Sequence, residues 1–191
     1  MKIGLFFGSF NPVHNGHLII ANYIAQTTDL DKVWLVVSPQ NPFKVKETML
    51  GEYDRLHLIN LAIEENPFLK ASDIEFKLPK PSYTIDTLVH LGEKYPQHEF
   101  ALIMGSDNLA SLRKWKNYEQ VLNKYHFYIY KRRGTETNPY LDARNIHFID
   151  FPLLDISATF IRENIQKGVS LQYFLPDKVW NYIEANHYYK E

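Results

Sequence analysis

Short runs that are apolar almost throughout alternate along the chain with longer segments in which apolar residues recur every three or four positions. Runs of the first kind predict buried strands, and segments of the second kind predict amphipathic helices. The longer predicted strands cover residues 2–7, 32–38, 98–104 and 125–131, and shorter ones cover 68–76 and 146–149. The predicted helices cover residues 16–27, 52–65, 84–95, 107–112, 116–123, 157–167 and 176–186. Apolar strands separated by helices are typical of a parallel sheet that is covered on both sides.

This alternation predicts an α/β fold, a Rossmann-like parallel sheet with helices on both faces and a helical cap at the C-terminal end. The chain has 191 residues, of which 45% are hydrophobic and 23% are charged, as is typical of globular proteins. This length suits one domain with a sizeable core, so residues 1–191 are expected to form a single domain. Sheets of this kind bind ligands outside the carboxyl ends of their strands.

Charge and composition exclude several classes of partner. The formal net charge is -1 at pH 7, so no global positive field attracts nucleic acid or an anionic membrane. No apolar run approaches the roughly 20 residues that a helix needs to span a bilayer. The absence of cysteine excludes disulfides, thiol catalysis and cysteine-ligated metals. We expect a cytoplasmic protein without nucleic-acid or membrane partners, and nothing in the sequence indicates an oligomeric state.

The segment between the first predicted strand and the first predicted helix carries the strongest chemical signal. Residues 8–17 read GSFNPVHNGH. Gly8 allows a sharp turn off the strand, and Gly16 is expected to leave room for a ligand beside the start of the helix. His14 and His17 are three residues apart and can face one ligand, to which they would add charge or hydrogen-bond donors. A loop that leads into a helix N-terminus in this way is a common phosphate-binding arrangement.

Two other interpretations apply to this segment: an ordinary turn with Asn15 as the helix cap, and a metal site at the two histidines, for which no third ligand has suitable spacing. The pattern Gly-x-Phe-x-Pro-x-His-x-Gly-His resembles that of the nucleotidylyltransferases, which transfer a nucleotidyl group from a nucleoside triphosphate. The resemblance implies that a first set of residues binds ATP: Gly8, Ser9, Phe10 and Gly16. It also implies that His14 and His17 are catalytic.

A second segment, ISATFIR at residues 156–162, begins the penultimate predicted helix. Ser157 suits an N-cap, and Thr159 and Arg162 fall on one helical face. Taken alone, this is an ordinary helix start with a solvated arginine. The same nucleotidylyltransferases carry an Ile-Ser-x-Thr-x-Ile-Arg segment, and that resemblance implies that Ser157, Thr159 and Arg162 hold the β and γ phosphates of ATP.

Three further features resemble the bacterial nicotinate mononucleotide adenylyltransferases: SYTIDTL at 82–88, GSDNL at 105–109 and the nearby Trp115. In this resemblance Thr84 helps to hold the carboxylate of the pyridine ring, and Trp115 stacks on that ring. A cationic pyridinium is well matched to an indole face. The helix start at 84 and a partly buried tryptophan are also ordinary structural features. The resemblance places two more residues beside the nucleotide, Gly105 and Asp107.

The loop after the second predicted strand completes the expected site. Lys44 resembles a lysine that binds phosphate in the same family, although Phe43 stands where other members often have histidine. Asn41 in this loop is expected to contact the mononucleotide. A lysine in a loop is otherwise only a solvated charge.

The resemblance as a whole implies adenylyl transfer from ATP to nicotinate mononucleotide, with nicotinate adenine dinucleotide and pyrophosphate as products. Mg²⁺ is expected on the phosphates of ATP, because the sequence shows no cage of carboxylates for it. One alternative is adenylyl transfer to phosphopantetheine, for which threonine is expected where His14 stands. Another is a nucleotide-binding module without activity, which would not need to keep all the charge-stabilising side chains.

Overall fold

A sheet of six parallel strands forms the centre of the computed structural model, which describes residues 1–39, 49–132, 140, 143–152 and 155–190. The strands lie in the order β3-β2-β1-β4-β5-β6, and every neighbouring pair is parallel. Their bounds are β1 Lys2–Gly8, β2 Lys32–Val37, β3 Leu69–Ser72, β4 Glu99–Gly105, β5 His126–Tyr130 and β6 Ile146–Ile149. The prediction of a Rossmann-like parallel sheet is confirmed.

Helices connect these strands and follow the last one. Their bounds are α1 Asn15–Thr27, α2 Glu52–Ile63, α3 Thr84–Lys94, α4 Ser106–Ala110, α5 Tyr118–Lys124, α6 Ala158–Gln166 and α7 Asp177–Ala185. Short 3-10 helices cover Ile74–Lys77, Leu112–Lys114 and Gln172–Phe174. Within the described ranges, no helix combines the length and the apolar character that crossing a membrane requires.

The sheet separates two hydrophobic cores, as the apolar strands predict. Along β4, Ala101 and Ile103 belong to the core beneath α1, α2, α6 and α7, whereas Leu102 and Met104 belong to the core beneath α3 and α5. Successive side chains of a strand point to opposite faces, so one apolar strand supplies both cores. The C-terminal helix α7 packs on α2 and forms the expected helical cap.

One predicted strand is shorter than expected. The segment 68–76 was predicted to be extended throughout, but β3 ends at Ser72 and a 3-10 helix begins at Ile74. The Ser72 hydroxyl accepts a hydrogen bond of 3.4 Å from the Ile74 N–H, which stabilises the turn out of the strand. The turn buries both Ile74 and Glu75, which an extended chain would place on opposite faces.

The strand order reverses between β1 and β4, which lie side by side at the centre of the sheet. Loops that leave the carboxyl ends of two such strands diverge and open a crevice. The segment 8–17 runs from the end of β1 through the loop into the first turn of α1, and Gly105 ends β4. The fold therefore brings together the two segments that the sequence marked for chemistry.

Candidate active site

A cavity of about 240 Å³ opens at the carboxyl ends of β1, β2 and β4. It brings Gly8 and Ser9 together with Thr84 and Trp115, which the sequence assigned to two different substrates. Its other lining residues are Phe7, Ser38, Glu75, Ser82, Tyr83, Ile103, Met104, Asn108, Ser111, Lys114 and Lys116. The loops after β1 and β4 therefore reach one crevice at the carboxyl ends of the strands, where sheets of this kind are expected to bind ligands.

The imidazoles of His14 and His17 stack at the start of α1, with ring centroids 3.7 Å apart. The backbone N–H of His14 donates a hydrogen bond of 3.3 Å to Nδ1 of His17. Because Nδ1 is the acceptor, the proton of a neutral His17 ring is on Nε2. This contact fixes the ring of His17 and directs Nε2–H away from the His14 backbone.

His14 is 3% exposed and lies at the N-cap position of α1. Burial, assisted by the positive charge of Arg132, lowers the pKa of His14 to about 4. The ring is therefore neutral at pH 7, so of the two contributions expected of His14, charge or hydrogen-bond donors, only the second remains. The cap residue is His14 and not Asn15, because Asn15 is already the first residue of the helix.

Two glycines of the loop make room for the protein's own rings. A Cβ atom on Gly8 would lie 2.9 Å from the ring of Phe10, and one on Gly16 would lie 3.0 Å from Nδ1 of His14. The space beside Gly16 is thus occupied by His14, which corrects the expectation that it is left for a ligand. The Phe10 ring is buried, with its centroid 5.0 Å from that of His17. Its side chain supports the loop and offers almost no surface to ATP.

Arg162 joins the two segments expected to bind phosphate. Its Nη1 donates to the carbonyl of Asn11 at 2.8 Å, and its Nη2 contacts the Thr159 hydroxyl at 3.4 Å. The predicted cap is confirmed, since the hydroxyl of Ser157 accepts a hydrogen bond of 3.2 Å from the N–H of Phe160. The Nε of Arg162 is buried and has no hydrogen-bond partner in the described part of the chain. The start of α6 therefore faces the loop before α1.

The segment after β4 contacts Arg132, which follows β5. A Cβ atom on Gly105 would lie 2.9 Å from Cδ of Arg132, so the glycine permits this close approach. The Asp107 carboxylate lies 3.5 Å from the Arg132 guanidinium, and the Arg132 N–H donates to the Ser106 hydroxyl at 2.9 Å. Asn108 lines the cavity, whereas Asp107 is exposed and paired with the arginine. The sequence prediction did not include Arg132, although its place just after a strand of the sheet could have indicated it.

Arg55 is a second cation that the sequence prediction did not include. It is 1% exposed, and its guanidinium donates to four backbone carbonyls, those of Ser9, Ser38, Pro39 and Leu50, at 2.5 to 3.3 Å. It thereby joins the loops that follow β1 and β2. Its position, three and four residues before Leu58 and Ile59 on the buried face of α2, could have indicated burial.

Glu75 is a buried carboxylate in the wall of the same cavity. It accepts hydrogen bonds from the hydroxyls of Thr87 and Ser82, at 2.7 and 3.0 Å. Burial raises the pKa of Glu75, and these hydroxyls oppose that shift. Ser82 is therefore engaged with Glu75, and Tyr83 occupies the N-cap position of α3 without a side-chain cap.

Two expected contacts, Asn41 and Lys44, lie outside the described residues. The residues that the structure does describe place helix N-termini, imidazoles and arginines around the crevice, all of which can donate hydrogen bonds to anions. Among these residues, no three histidine, cysteine or carboxylate side chains gather as a metal-binding group. The arrangement is suited to holding phosphates and stabilising charge that develops on them.

The buried His14 makes a testable contribution to acid sensitivity. Its pKa is about 4 in the folded protein and near 6.5 in an unfolded chain, so between these values only the unfolded chain holds the proton. Stability should therefore fall as the pH falls through this window, by about 3 kcal/mol in total. Urea unfolding at pH 7 and pH 4.5 measures the loss. His14→Asn, which keeps a capping side chain without a titrating group, should lose about 2 to 3 kcal/mol less. Equal losses in both proteins would contradict this assignment.

Comparisons with known proteins show the family to which the whole chain is related. The cytidylyltransferase-like family model matches residues 5–164. The chain is 56% identical to the probable nicotinate-nucleotide adenylyltransferase of Flavobacterium psychrophilum, with 100% of both chains covered. It is 52% identical to the protein of the same description from Cytophaga hutchinsonii, over 99% of this chain and 98% of that one. A Plasmodium falciparum nicotinic acid mononucleotide adenylyltransferase, solved in complex with NaAD, has the same fold, with a TM-score of 0.83 at 19% identity over 98% of this chain and 97% of that one.

Proposed function

Because the chain belongs to the cytidylyltransferase-like family, and within it to the nicotinate-nucleotide adenylyltransferases, we propose that its crevice joins ATP and nicotinate mononucleotide into nicotinate adenine dinucleotide. The single observation that carries the assignment of the site is the contact of Arg162 with Asn11. It brings together two segments that are expected to bind phosphate, and the first of them reaches the cavity lined by Thr84 and Trp115. One enzyme surface thereby offers places for a triphosphate and for a flat aromatic ring.

The reaction needs no protein nucleophile. A 5′-phosphate oxygen of nicotinate mononucleotide forms a bond to the α-phosphorus of ATP, and the bond from that phosphorus to the β-phosphate oxygen breaks, releasing pyrophosphate. Two anions that repel each other must be aligned, and alignment of bound reactants can lower a barrier by roughly 7–11 kcal/mol. Donors aimed at the developing charge contribute about 3–4 kcal/mol each.

The phosphate groups are assigned to the donors nearest the helix starts. The Nε2–H of His17 donates to the α-phosphate. The neutral ring of His14 stacks on the ring of His17 and holds it in place. Arg162, with Ser157 and Thr159, holds the leaving pyrophosphate. Lys44 binds the phosphate of the incoming mononucleotide, and Asn41 contacts the same substrate. Gly8, Ser9, Phe10, Gly16, Gly105 and Asp107 complete the ATP site, mostly through their backbone.

Isotopic labelling tests the proposed bond changes. With ATP labelled at the α-phosphate, the label should appear in the dinucleotide, whereas label at the β- and γ-phosphates should appear in pyrophosphate. Transfer of the γ-phosphate to the mononucleotide would contradict adenylyl transfer. Omission of the mononucleotide is the control, because a simple ATP hydrolase would release label without it.

Mg²⁺ is proposed to enter with ATP, since phosphate oxygens are ligands it prefers and it retains several waters. When bound, it would neutralise charge on the phosphates that the donors of α1 and α6 hold.

The cytoplasm is the proposed compartment, as expected for a chain without cysteines to pair.

The pyridine ring is assigned to Trp115, with Thr84 at its substituent. Trp115→Ala should raise the KM for nicotinate mononucleotide by about tenfold and change the KM for ATP little, because a cation over an indole face contributes on the order of 1–2 kcal/mol. Steady-state kinetics with each substrate varied in turn measures both constants. Trp115→Phe, which keeps an aromatic face, should lose less. Equal increases in both KM values would remove Trp115 from the pyridine site.

A further inference from the structure

The carboxylate of Glu75 has no role in the mechanism described so far, although it lies in the wall of the substrate cavity. Its residue is 3% exposed and belongs to the 3-10 helix Ile74–Lys77. The same cavity is lined by Thr84 and by Trp115. A buried charge at this place has to be explained, because burial of an ionised carboxylate is costly.

The partners of Glu75 are hydroxyl groups. Thr87 Oγ1 donates to Oε1, and Ser82 Oγ donates to Oε2. Donors of this kind favour the ionised form of a carboxyl group but bring no positive charge. In the described part of the chain, no lysine or arginine forms an ion pair with Glu75, and Lys116 at the cavity is paired with Asp86 at 2.9 Å. The carboxylate thus lies beside the cavity without a described counter-charge.

We propose that Glu75 is a specificity-determining residue that recognises the positive charge of the pyridinium ring. The inference rests on the proposed function, which puts a pyridinium nucleotide in this cavity. A bound cationic ring supplies the opposite charge that Glu75 lacks, and a neutral ring of the same shape does not. Because the interaction lies in a partly closed site, it is screened less than a surface ion pair.

This role differs from recognition of the ring substituent. The start of α3, at Thr84, presents backbone N–H groups that have no partner within the helix and can hold a carboxylate on the ring. Glu75 lies behind this helix start, to which Ser82 and Thr87 connect it. The negative substituent and the positive ring are then bound by two groups of opposite charge, and only a ligand with both charges satisfies both.

The test compares nicotinate mononucleotide with its neutral isostere, a C-nucleotide in which a benzoate ring replaces the pyridinium. The wild-type enzyme should use the pyridinium substrate at least tenfold better in kcat/KM. Glu75→Gln, which keeps the shape and part of the hydrogen bonding, should reduce this preference by about tenfold, chiefly through poorer use of the pyridinium substrate. Thr87→Val is the matched control, because it removes one hydroxyl and keeps the carboxylate, so it should preserve the preference.

Three results would overturn or redirect the inference. If Glu75→Gln lowers kcat/KM for both substrates by the same factor, Glu75 only supports the helix start and the proposal is wrong. If Glu75→Gln does not fold, the preference for the pyridinium substrate is measured in Trp115→Ala instead. The proposal expects this preference to persist there. Its disappearance would assign the whole preference to the indole and contradict the role of Glu75. If the wild-type enzyme does not use nicotinate mononucleotide at all, the proposed function fails, which is distinguishable from failure of the role of Glu75.

Discussion

Replacement of His17 by alanine should lower kcat by about 10²- to 10³-fold, as expected for the loss of one donor to charge that develops in the transition state. The His14 N–H holds Nδ1 of His17, so the proton on Nε2 is the one presented to a ligand. The KM values should change much less than kcat, because this donor acts mainly when charge accumulates on the α-phosphate. Steady-state kinetics with each substrate varied in turn, at a saturating concentration of the other, gives kcat and both KM values.

A second variant separates catalysis from capping. His17→Asn can still accept the hydrogen bond from His14 through its amide oxygen, whereas His17→Ala loses that bond and about 1 kcal/mol of stability. Both variants should have a lower kcat than the wild-type enzyme, but only His17→Ala should have a measurably lower melting temperature. A folded His17→Ala enzyme with wild-type kcat would remove His17 from the reaction.

Replacement of Arg55 by methionine should destabilise the fold by roughly 3 kcal/mol or more, although the new side chain is apolar and fills much of the same space. The guanidinium satisfies the carbonyls of Ser9, Ser38, Pro39 and Leu50, and a buried carbonyl without a donor costs about 1–3 kcal/mol. Because all four carbonyls belong to the loops after β1 and β2, kcat/KM should also fall for both substrates. Urea unfolding measures the first effect.

Arg144→Met is the matched control for this change, because Arg144 is an exposed arginine in the turn before β6. Its replacement should change the free energy of unfolding by less than about 0.5 kcal/mol. If Arg55→Met were as stable as Arg144→Met, the carbonyls around Arg55 would have other donors, and the guanidinium would not organise the loops.

The sequence was most informative where the interacting residues lie within one short segment. The capping role of Ser157 and the proximity of His14 to His17 depend on residues three or four apart on a helix, so spacing alone predicted them. The alternation of strands and helices likewise predicted the layers of the fold. It did not predict the end of β3 at Ser72, which a hydroxyl and a local turn decide.

The features that the sequence prediction missed depend on contacts between distant parts of the chain. Arg55 is buried because backbone carbonyls from two other loops converge on it, and Glu75 is buried because the turn after β3 meets the start of α3. A charged residue in a helix or turn is ordinarily solvated, so only the assembled sheet reveals these positions. The space beside Gly16 was misassigned for a local reason, because the occupant is the nearby His14 side chain, whose rotamer the sequence does not specify.

The central claim is tested most directly by pyrophosphate release from the purified protein with Mg²⁺ and ATP. Nicotinate mononucleotide, nicotinamide mononucleotide and phosphopantetheine are compared as acceptors. We expect release with nicotinate mononucleotide and none with phosphopantetheine. Release with phosphopantetheine alone would keep the chemistry but contradict the assignment of Thr84 and Trp115, and the absence of release with all three acceptors, from protein that still binds ATP, would contradict the enzymatic function itself.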